Sequence, residues 1–173
     1  GDLKIYNTDG DGTVSVEGAL TTKQGSSGRH LIIAPDNGYY SQSSGQATGY
    51  LIIQTPLEVG NNYSSFSIEL EIAGQYNSPM LMKVSAQWLT ASFANGLAYS
   101  LSEELLNYAV RWGTDGTNTY IIIGESDTTW NRRSFAIKSV TTNYVYNDVD
   151  AFNKNWDISI DSDISAITVN RTQ

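Results

Sequence analysis

The chain has no cysteine and only one histidine among its 173 residues. Without cysteine it can form neither disulfide bonds nor thiolate metal sites. A zinc site built on several imidazoles is excluded because His30 stands alone. We therefore predict that the protein needs no cofactor and no metal. If the protein works outside the cell, its fold must be stable without disulfide crosslinks.

Positive charge is also scarce. The chain has 10 Lys+Arg against 18 Asp+Glu and a net charge of −8. A phosphate binder needs a cationic surface, so we expect no nucleic-acid partner. A polyanionic sugar would be repelled at long range, although a local basic pocket could still hold one.

Long apolar runs are missing as well. No stretch approaches the roughly 20 apolar residues that cross a bilayer, so we predict no membrane insertion. The chain starts at Gly1 in the middle of a pattern and without an initiator methionine, and we expect it to be part of a longer protein.

Helical periodicity is almost absent, and alternation with a period of two residues takes its place. It runs through 66–72, 80–88, 108–112 and 156–160, which predicts strands with one buried face. The solid apolar runs at 31–33 and 120–123 predict strands buried on both faces. One short helix is predicted at 102–106. Many short strands separated by turns predict an all-β fold, an antiparallel β-sandwich of the jelly-roll kind.

The first 28 residues differ from the rest. They carry isolated apolar side chains, so we predict a shaft-like hairpin and linker at 1–28 and a β-sandwich head at 29–173. Leu3, Ile5, Val14, Val16 and Leu20 have no core of their own, and three copies around one axis would give them a shared one. The sequence thus predicts a homotrimer.

The stretch NTDGDGTVSVE, from Asn7 to Glu17, is spaced like the first half of a calcium loop. A helix–loop–helix calcium site needs an acid at its first position and a glutamate at its twelfth, where this chain has Asn7 and Gly18. The flanking residues alternate as strands. We favour a tight hairpin turn over a calcium site.

Catalytic groups are hard to find. A serine–histidine–aspartate triad would have to use His30, which adjoins an apolar run and is better explained as a structural residue. Among paired carboxylates, Glu103 and Glu104 point in different directions, and Asp148 and Asp150 lie in a segment rich in Tyr and Asn. We predict that the protein is not an enzyme.

Aromatic residues are the surplus, with 4 Trp, 11 Tyr and 4 Phe. Trp88, Trp112 and Trp156 fall on the apolar phase of strands, so we predict them in the core. Five other rings lack a core phase and are candidates for surface contact or for packing under their own loops: Tyr39, Tyr40, Trp130, Tyr144 and Tyr146. Arg132, beside Trp130, could place a guanidinium group against a ligand. The predicted ligand residues are Tyr39, Tyr40, Trp130 and Arg132.

The second half of the chain resembles the distal heads of a class of bacteriophage tail-fibre proteins. The likeness lies in YAVRWG (108–113), YIIIGE (120–125), TW (129–130), FAI (135–137) and NWDISI (155–160). In those heads an aromatic strand ending in glycine leads to an Ile-Gly-Glu strand, a Thr-Trp loop and a closing Trp-x-Ile-Ser strand.

The alternating strands between 57 and 88 are similar to the same heads, and 12–20 looks like the end of a fibre shaft. The resemblance implies a homotrimeric fibre tip, outside the cell on a virion, that adheres to a host-surface saccharide or protein without catalysis. Arg132 and Arg133 stand where these fibres carry an aromatic residue and a proline, so no ligand residue is transferred from the family.

Two other functions fit the residues. A carbohydrate-binding or adhesive module of a bacterial surface or secreted protein would have the same acidic, cysteine-free β composition. A glycan depolymerase is the third hypothesis for the function.

The predicted assembly can be measured directly. We expect light scattering to give about three times the 18.9 kDa mass of one chain, because trimerisation buries the apolar residues of 1–28. A stable monomer near 19 kDa would contradict the predicted trimer.

Overall fold

The computed structural model describes residues 20–24, 29–42, 45–60, 64–74, 79–100, 107–131, 133–145 and 152–173. The predicted short helix at 102–106 and residues 1–19, which include the Asn7–Glu17 stretch, lie outside this part of the chain. The acidic residues Glu103, Glu104, Asp148 and Asp150 lie outside it too.

A large antiparallel sheet forms one layer, in the order β1-β2-β12-β6-β7-β8. A seventh strand, β3, pairs with β12 beside β2. Its strands are β1 (Leu20–Gln24), β2 (Arg29–Ile33), β3 (Tyr39–Ser41), β6 (Ser64–Gly74), β7 (Met80–Leu89), β8 (Ser92–Ser100) and β12 (Arg133–Val145).

The second layer is a smaller antiparallel sheet in the order β13-β5-β10-β9-β14. Its strands are β5 (Tyr50–Glu58), β9 (Val110–Thr114), β10 (Asn118–Ile123), β13 (Asp157–Asp161) and β14 (Thr168–Thr172). Two short strands, β4 (Gln46–Thr48) and β11 (Thr129–Asn131), pair with each other. The predicted all-β antiparallel sandwich is confirmed.

The core lies between the sheets and follows the predicted alternation. On β6 and β7 every second side chain is buried, from Phe66 to Ile72 and from Met80 to Trp88. The three tryptophans predicted in the core, Trp88, Trp112 and Trp156, are at most 1 % exposed. Burial of such large rings contributes to the stability of the fold, together with the aliphatic residues around them.

The two uninterrupted apolar runs, 31–33 and 120–123, differ in burial. Ile121, Ile122 and Ile123 are fully buried, as predicted for a strand covered on both faces. Ile33 is 42 % exposed, so the prediction for 31–33 was wrong. The reason is that Ile33 is opposite Ser139, which is itself opposite Glu69, so Ile33 lies on the outer face of the large sheet, which is open to water.

Strand β1 is paired residue by residue with β2, from Leu20 opposite Ile33 to Gln24 opposite Arg29. The large sheet therefore begins within the segment predicted as shaft and linker. The division of the chain into a shaft-like hairpin and linker at 1–28 and a head at 29–173 stays a prediction.

A connection of six residues, 162–167, joins the two outermost strands of the small sheet. Strand β13 ends beside Tyr50, whereas β14 starts beside Thr114 at the opposite end of the sheet. The chain must therefore travel both across and along the sheet. The side chain of Ile167 lies over Gly113 on the outer face, which puts the connection there and not in the core. We call residues 162–167 the crossing strap.

Two isoleucines of the small sheet are buried outside the main core. Ile52 and Ile122 face away from the large sheet, yet they are 8 % and 0 % exposed. Ile167 of the crossing strap lies over Gly113 on this same outer face. Buried apolar side chains thus occur on both faces of the small sheet.

The open edge of β8 is closed by the side chains of Arg171 in β14 and of Gln173, which follows β14. The Gln173 amide accepts a hydrogen bond from the Ala98 N–H (2.5 Å) and donates one to the Ala98 carbonyl (2.8 Å). Arg171 donates to the Ala94 carbonyl (3.1 Å). These bonds occupy backbone groups that an edge strand would otherwise offer to another chain.

Gly113→Ala tests the position of the crossing strap. A Cβ atom at Gly113 would lie 2.7 Å from the Thr168 carbonyl oxygen and 2.8 Å from Ile167 Cγ2, and the backbone oxygen cannot rotate away. We expect urea denaturation to show a loss of about 1–3 kcal/mol in the free energy of unfolding.

Ser85→Ala is the matched control, because Ser85 lies on a strand of the large sheet with its side chain on the outer face. We expect it to change stability by less than about 0.5 kcal/mol. Wild-type stability in Gly113→Ala would mean that the strap does not press on the sheet.

Candidate functional site

An open cleft of about 710 Å³ lies where the turn before β3 meets the ends of β5, β10 and β13. We call it the polar cleft. Its lining combines one tyrosine ring, four side-chain amides and two carboxylates with few apolar groups: Tyr39; Asn37, Gln54, Asn118 and Asn155; Glu58 and Asp157. The ring of Tyr39 is 63 % exposed, the largest exposed fraction among the exposed apolar and aromatic residues of the described chain.

The register of three strands brings the middle of the cleft together. Gln54 on β5 is opposite Tyr120 on β10 and also opposite Asp157 on β13. Residues that face each other across a ladder point to the same side of the sheet. Three side chains from distant parts of the sequence therefore form one row on the outer face.

A bulge shapes the end of this row. Asn118 pairs with Glu58, whereas the next residue, Thr119, pairs with Thr55, so Pro56 and Leu57 have no partner on β10. Proline suits such a position because it has no N–H group to pair. Bulges re-aim side chains next to binding sites, and this one carries Glu58 into the cleft lining.

Two buried threonines hold the bulge. The Thr119 hydroxyl donates to the Leu57 carbonyl (3.0 Å), and the Leu57 N–H donates to Thr55 Oγ1 (3.3 Å). The two hydroxyl oxygens are 2.5 Å apart. Because the single proton of Thr119 goes to Leu57, the Thr55 hydroxyl must be the donor between them.

Asp115 orders the turn between β9 and β10. Its carboxylate accepts hydrogen bonds from the backbone N–H groups of Thr117 (2.8 Å) and Asn118 (2.7 Å) and from the Tyr120 hydroxyl (2.7 Å). Asn118, which lines the cleft, and Tyr120, which adjoins Gln54, are both positioned by this one carboxylate.

The pKa values of Asp115 and Tyr120 are shifted in opposite directions. Partial desolvation raises the pKa of Asp115, but the hydrogen bonds from Tyr120, Asn118 and Thr117 outweigh it and lower the pKa from 3.8 to about 2. Desolvation, the hydrogen bond to Asp115 and the charge of Asp115 raise the pKa of Tyr120 to about 12. The carboxylate is therefore ionised and the phenol neutral across the physiological range.

Two asparagines of the cleft have left-handed backbone conformations. Asn37 has φ of 60° and Asn155 has φ of 61°, and the only other residue besides glycine with positive φ in the described chain is Ala34. Asparagine tolerates this region better than most residues. Both residues contribute to the cleft lining.

Of the four predicted ligand residues, Tyr39 lies in the cleft. Tyr40, its neighbour in β3, is half-buried and packs against Phe135 with ring centroids 6.0 Å apart. Successive residues of a strand point to opposite faces, which explains why only one ring of the pair is exposed.

The prediction of a surface contact at Trp130 was wrong. Trp130 is 1 % exposed, its ring lies between Tyr108 and Phe135, and its Nε1 donates to the Gly49 carbonyl (2.8 Å). Pairing of β11 with β4 turns the ring inward. A buried indole offers no face to a ligand.

Arg132 and Tyr146 lie outside the described residues, as does the side chain of Tyr144. Arg133 begins β12 and is 8 % exposed. His30 is half-buried in β2, and its Nδ1 atom has no hydrogen-bond partner within the described part of the chain.

Most cleft residues were not predicted from the sequence. Gln54, Glu58 and Asn118 are common polar residues at strand ends, and no local spacing connects them. Asn155 and Asp157 flank Trp156 within NWDISI, but the strand signal there concerned the apolar residues. Knowledge of which strands are neighbours, and in what register, was needed to find the site.

The outer face of the large sheet carries a second, shallow trough of about 580 Å³. Short hydroxyl side chains line it, namely Ser65, Ser67, Ser85 and Thr141, and two of its other lining residues, Lys83 and Arg171, are cationic. It has no exposed aromatic ring in its lining, although Tyr99, 48 % exposed, stands beside Lys83.

Within the described residues, no three His, Cys, Asp or Glu side chains are grouped to hold a metal ion. The helical content of the same residues includes nothing of the length and apolarity that a bilayer crossing requires.

Comparison of the chain with protein-family models, with curated proteins and with solved structures found no match.

Asp115→Asn tests how the cleft turn depends on pH. The folded pKa is depressed, so Asp115 stabilises the fold above its ordinary pKa of about 3.9, and this stability is lost as the pH falls toward about 2. We expect the wild type to have the higher Tm near neutral pH and the difference to shrink between about pH 4 and pH 2.

Asp127→Asn is the control, because its carboxylate accepts no hydrogen bond within the described chain and its variant removes the same charge. Its Tm difference from wild type should be small and vary less with pH than that of Asp115→Asn. Parallel behaviour of the two variants would contradict the role assigned to Asp115.

Proposed function

We propose that this chain is a receptor-binding head of the tail-fibre kind, which attaches a phage to a saccharide of the host surface through the polar cleft and without catalysis. The observation that carries the proposal is the exposed ring of Tyr39 above a cleft lined by amides and carboxylates.

The chemistry of the cleft suits a sugar. An exposed ring offers a flat apolar face to the C–H side of a pyranose. The four amides supply both donors and acceptors, and the two carboxylates accept hydrogen bonds from neighbouring hydroxyls. A few polar groups fixed around one concave surface are what orients a small ligand.

The positions of the lining residues are also held firmly. The threonine pair behind the bulge and the Asp115 turn restrain Glu58 and Asn118 before any ligand arrives. A site that is already ordered loses less conformational entropy on binding.

The motifs shared with tail-fibre heads have structural roles in this chain. Arg111 of YAVRWG forms an ion pair with Glu125 of YIIIGE and donates to the Gly124 carbonyl (2.6 Å). Trp130 and Trp156 are buried. The resemblance thus supports a kind of head, while receptor choice would be determined by the turns around the cleft.

A homotrimer completes the proposal. Three clefts on one rigid tip would let weak single sites act together, and the gain over one site can be roughly a hundredfold or more. Such avidity suits attachment to a surface that repeats the same saccharide many times.

Tyr39→Ala is the direct test. We expect a glycan array to show Tyr39-dependent binding, with the apparent affinity of the variant reduced about tenfold or more because the stacking face is lost. A product assay on the bound glycan should find it unaltered, whereas cleavage would overturn the non-catalytic proposal.

Tyr99→Ala is the matched control. It removes an exposed tyrosine from β8, which does not line the polar cleft, and should bind like wild type. If Tyr99→Ala abolishes binding while Tyr39→Ala does not, the receptor site lies beside β8 and the assignment of the polar cleft is overturned.

A further inference from the structure

The charges of the polar cleft all have one sign. Its described lining includes Glu58 and Asp157 but no lysine, arginine or histidine. Asp115 adds a third carboxylate next to Asn118, at the cleft's β10 side. A cleft of this composition disfavours an acidic ligand before any other contact is considered.

The two lining carboxylates have no cationic partner within the described residues. The ion pairs of Arg111 with Glu125 and of Lys138 with Glu71 do not involve residues of the cleft lining. A carboxylate that is paired internally attracts a cationic ligand only weakly. In the described part of the chain, Glu58 and Asp157 are not paired in this way and keep their full attraction for such a ligand.

The aromatic ring agrees with the charges. Tyr39 is 63 % exposed at the same cleft, and the face of a tyrosine ring attracts a cation within about 6 Å of its centroid. Ring and carboxylates are the combination that recognises a protonated amine, while the amides Gln54, Asn118 and Asn155 remain for the hydroxyls of the same molecule.

We propose that the polar cleft recognises an amino sugar with a free, protonated amine, bound between Tyr39 and the carboxylates of Glu58 and Asp157. This inference rests on the proposed saccharide-binding function and names the chemical class of its ligand. Charge-assisted hydrogen bonds are roughly twice as strong as neutral ones, so the amine contributes most of the selectivity.

The net charge of −8 acts in the same direction over a longer range. It raises the local concentration of a cationic ligand at low salt and is screened beyond about 8 Å at physiological ionic strength. A genuine site must therefore be distinguished from general attraction to an acidic protein.

The experiment compares two oligosaccharides that differ only at nitrogen. The probes are a β-1,4-linked glucosamine oligomer and its fully N-acetylated counterpart, measured by calorimetry at mildly acidic pH, above ordinary carboxyl pKa values of roughly 4. We expect the amine oligomer to bind roughly tenfold more tightly.

The variants locate the effect. Glu58→Gln with Asp157→Asn should remove the preference for the amine oligomer. Glu69→Gln with Glu71→Gln changes the net charge equally on the outer face of the large sheet, and this control should keep the preference.

Three outcomes would overturn the inference. Equal affinity for both oligomers with dependence on Tyr39 would remove the amine selectivity and leave the saccharide-binding proposal standing. An equal loss of the preference in both double variants would mean general attraction. No binding of the amine oligomer would exclude this ligand class. The proposed function fails separately, through the absence of Tyr39-dependent binding to any arrayed glycan.

Discussion

The register of β5 between β10 and β13 is the constraint on which the cleft depends. Leu51 and Ile53 are fully buried in the core, and they fix which residues of β5 face inward. A slip of one residue would turn them out to the opposite face and Gln54 into the core. The apolar side of the strand therefore determines that Gln54, Tyr120 and Asp157 form a row on the other side. Packing specifies the site, although none of the core residues belongs to it.

The sequence predicted what depends on local pattern. Alternation located the strands of β6 and β7 and the buried faces of Trp88, Trp112 and Trp156, because a period of two residues maps directly onto the two faces of a strand. It failed for Trp130 because β11 has only three residues, too few for a phase to be visible. A tryptophan between Thr129 and Asn131 was nevertheless a signal for an inward ring, since both neighbours are polar and exposed.

What the sequence could not predict depends on pairing between distant segments. The cleft residues come from β5, β10, β13 and the turn before β3, and only the sheet order brings them together. The exposure of Ile33 has the same origin, since it depends on the register that aligns Ile33 with Ser139 and Glu69 on the outer face of the large sheet. Tyr39 could be predicted because an exposed ring beside a turn needs no knowledge of partners. Its place in one cleft with Asp157 and Glu58 could not.

The crossing strap has a mechanical consequence for the small sheet. At about 4.8 Å between neighbouring strands, β13 and β14 are separated by roughly 19 Å. Seven fully extended peptide steps would reach about 25 Å, and the turn closed by the hydrogen bond from the Ile167 N–H to the Ile164 carbonyl (2.8 Å) shortens that reach. The crossing strap has little slack, so it couples the positions of the two edge strands, β13 and β14. If one edge strand separates from the sheet, the strap must displace the other edge strand as well. The five strands are therefore expected to come apart as a unit and not to fray one at a time from the outside.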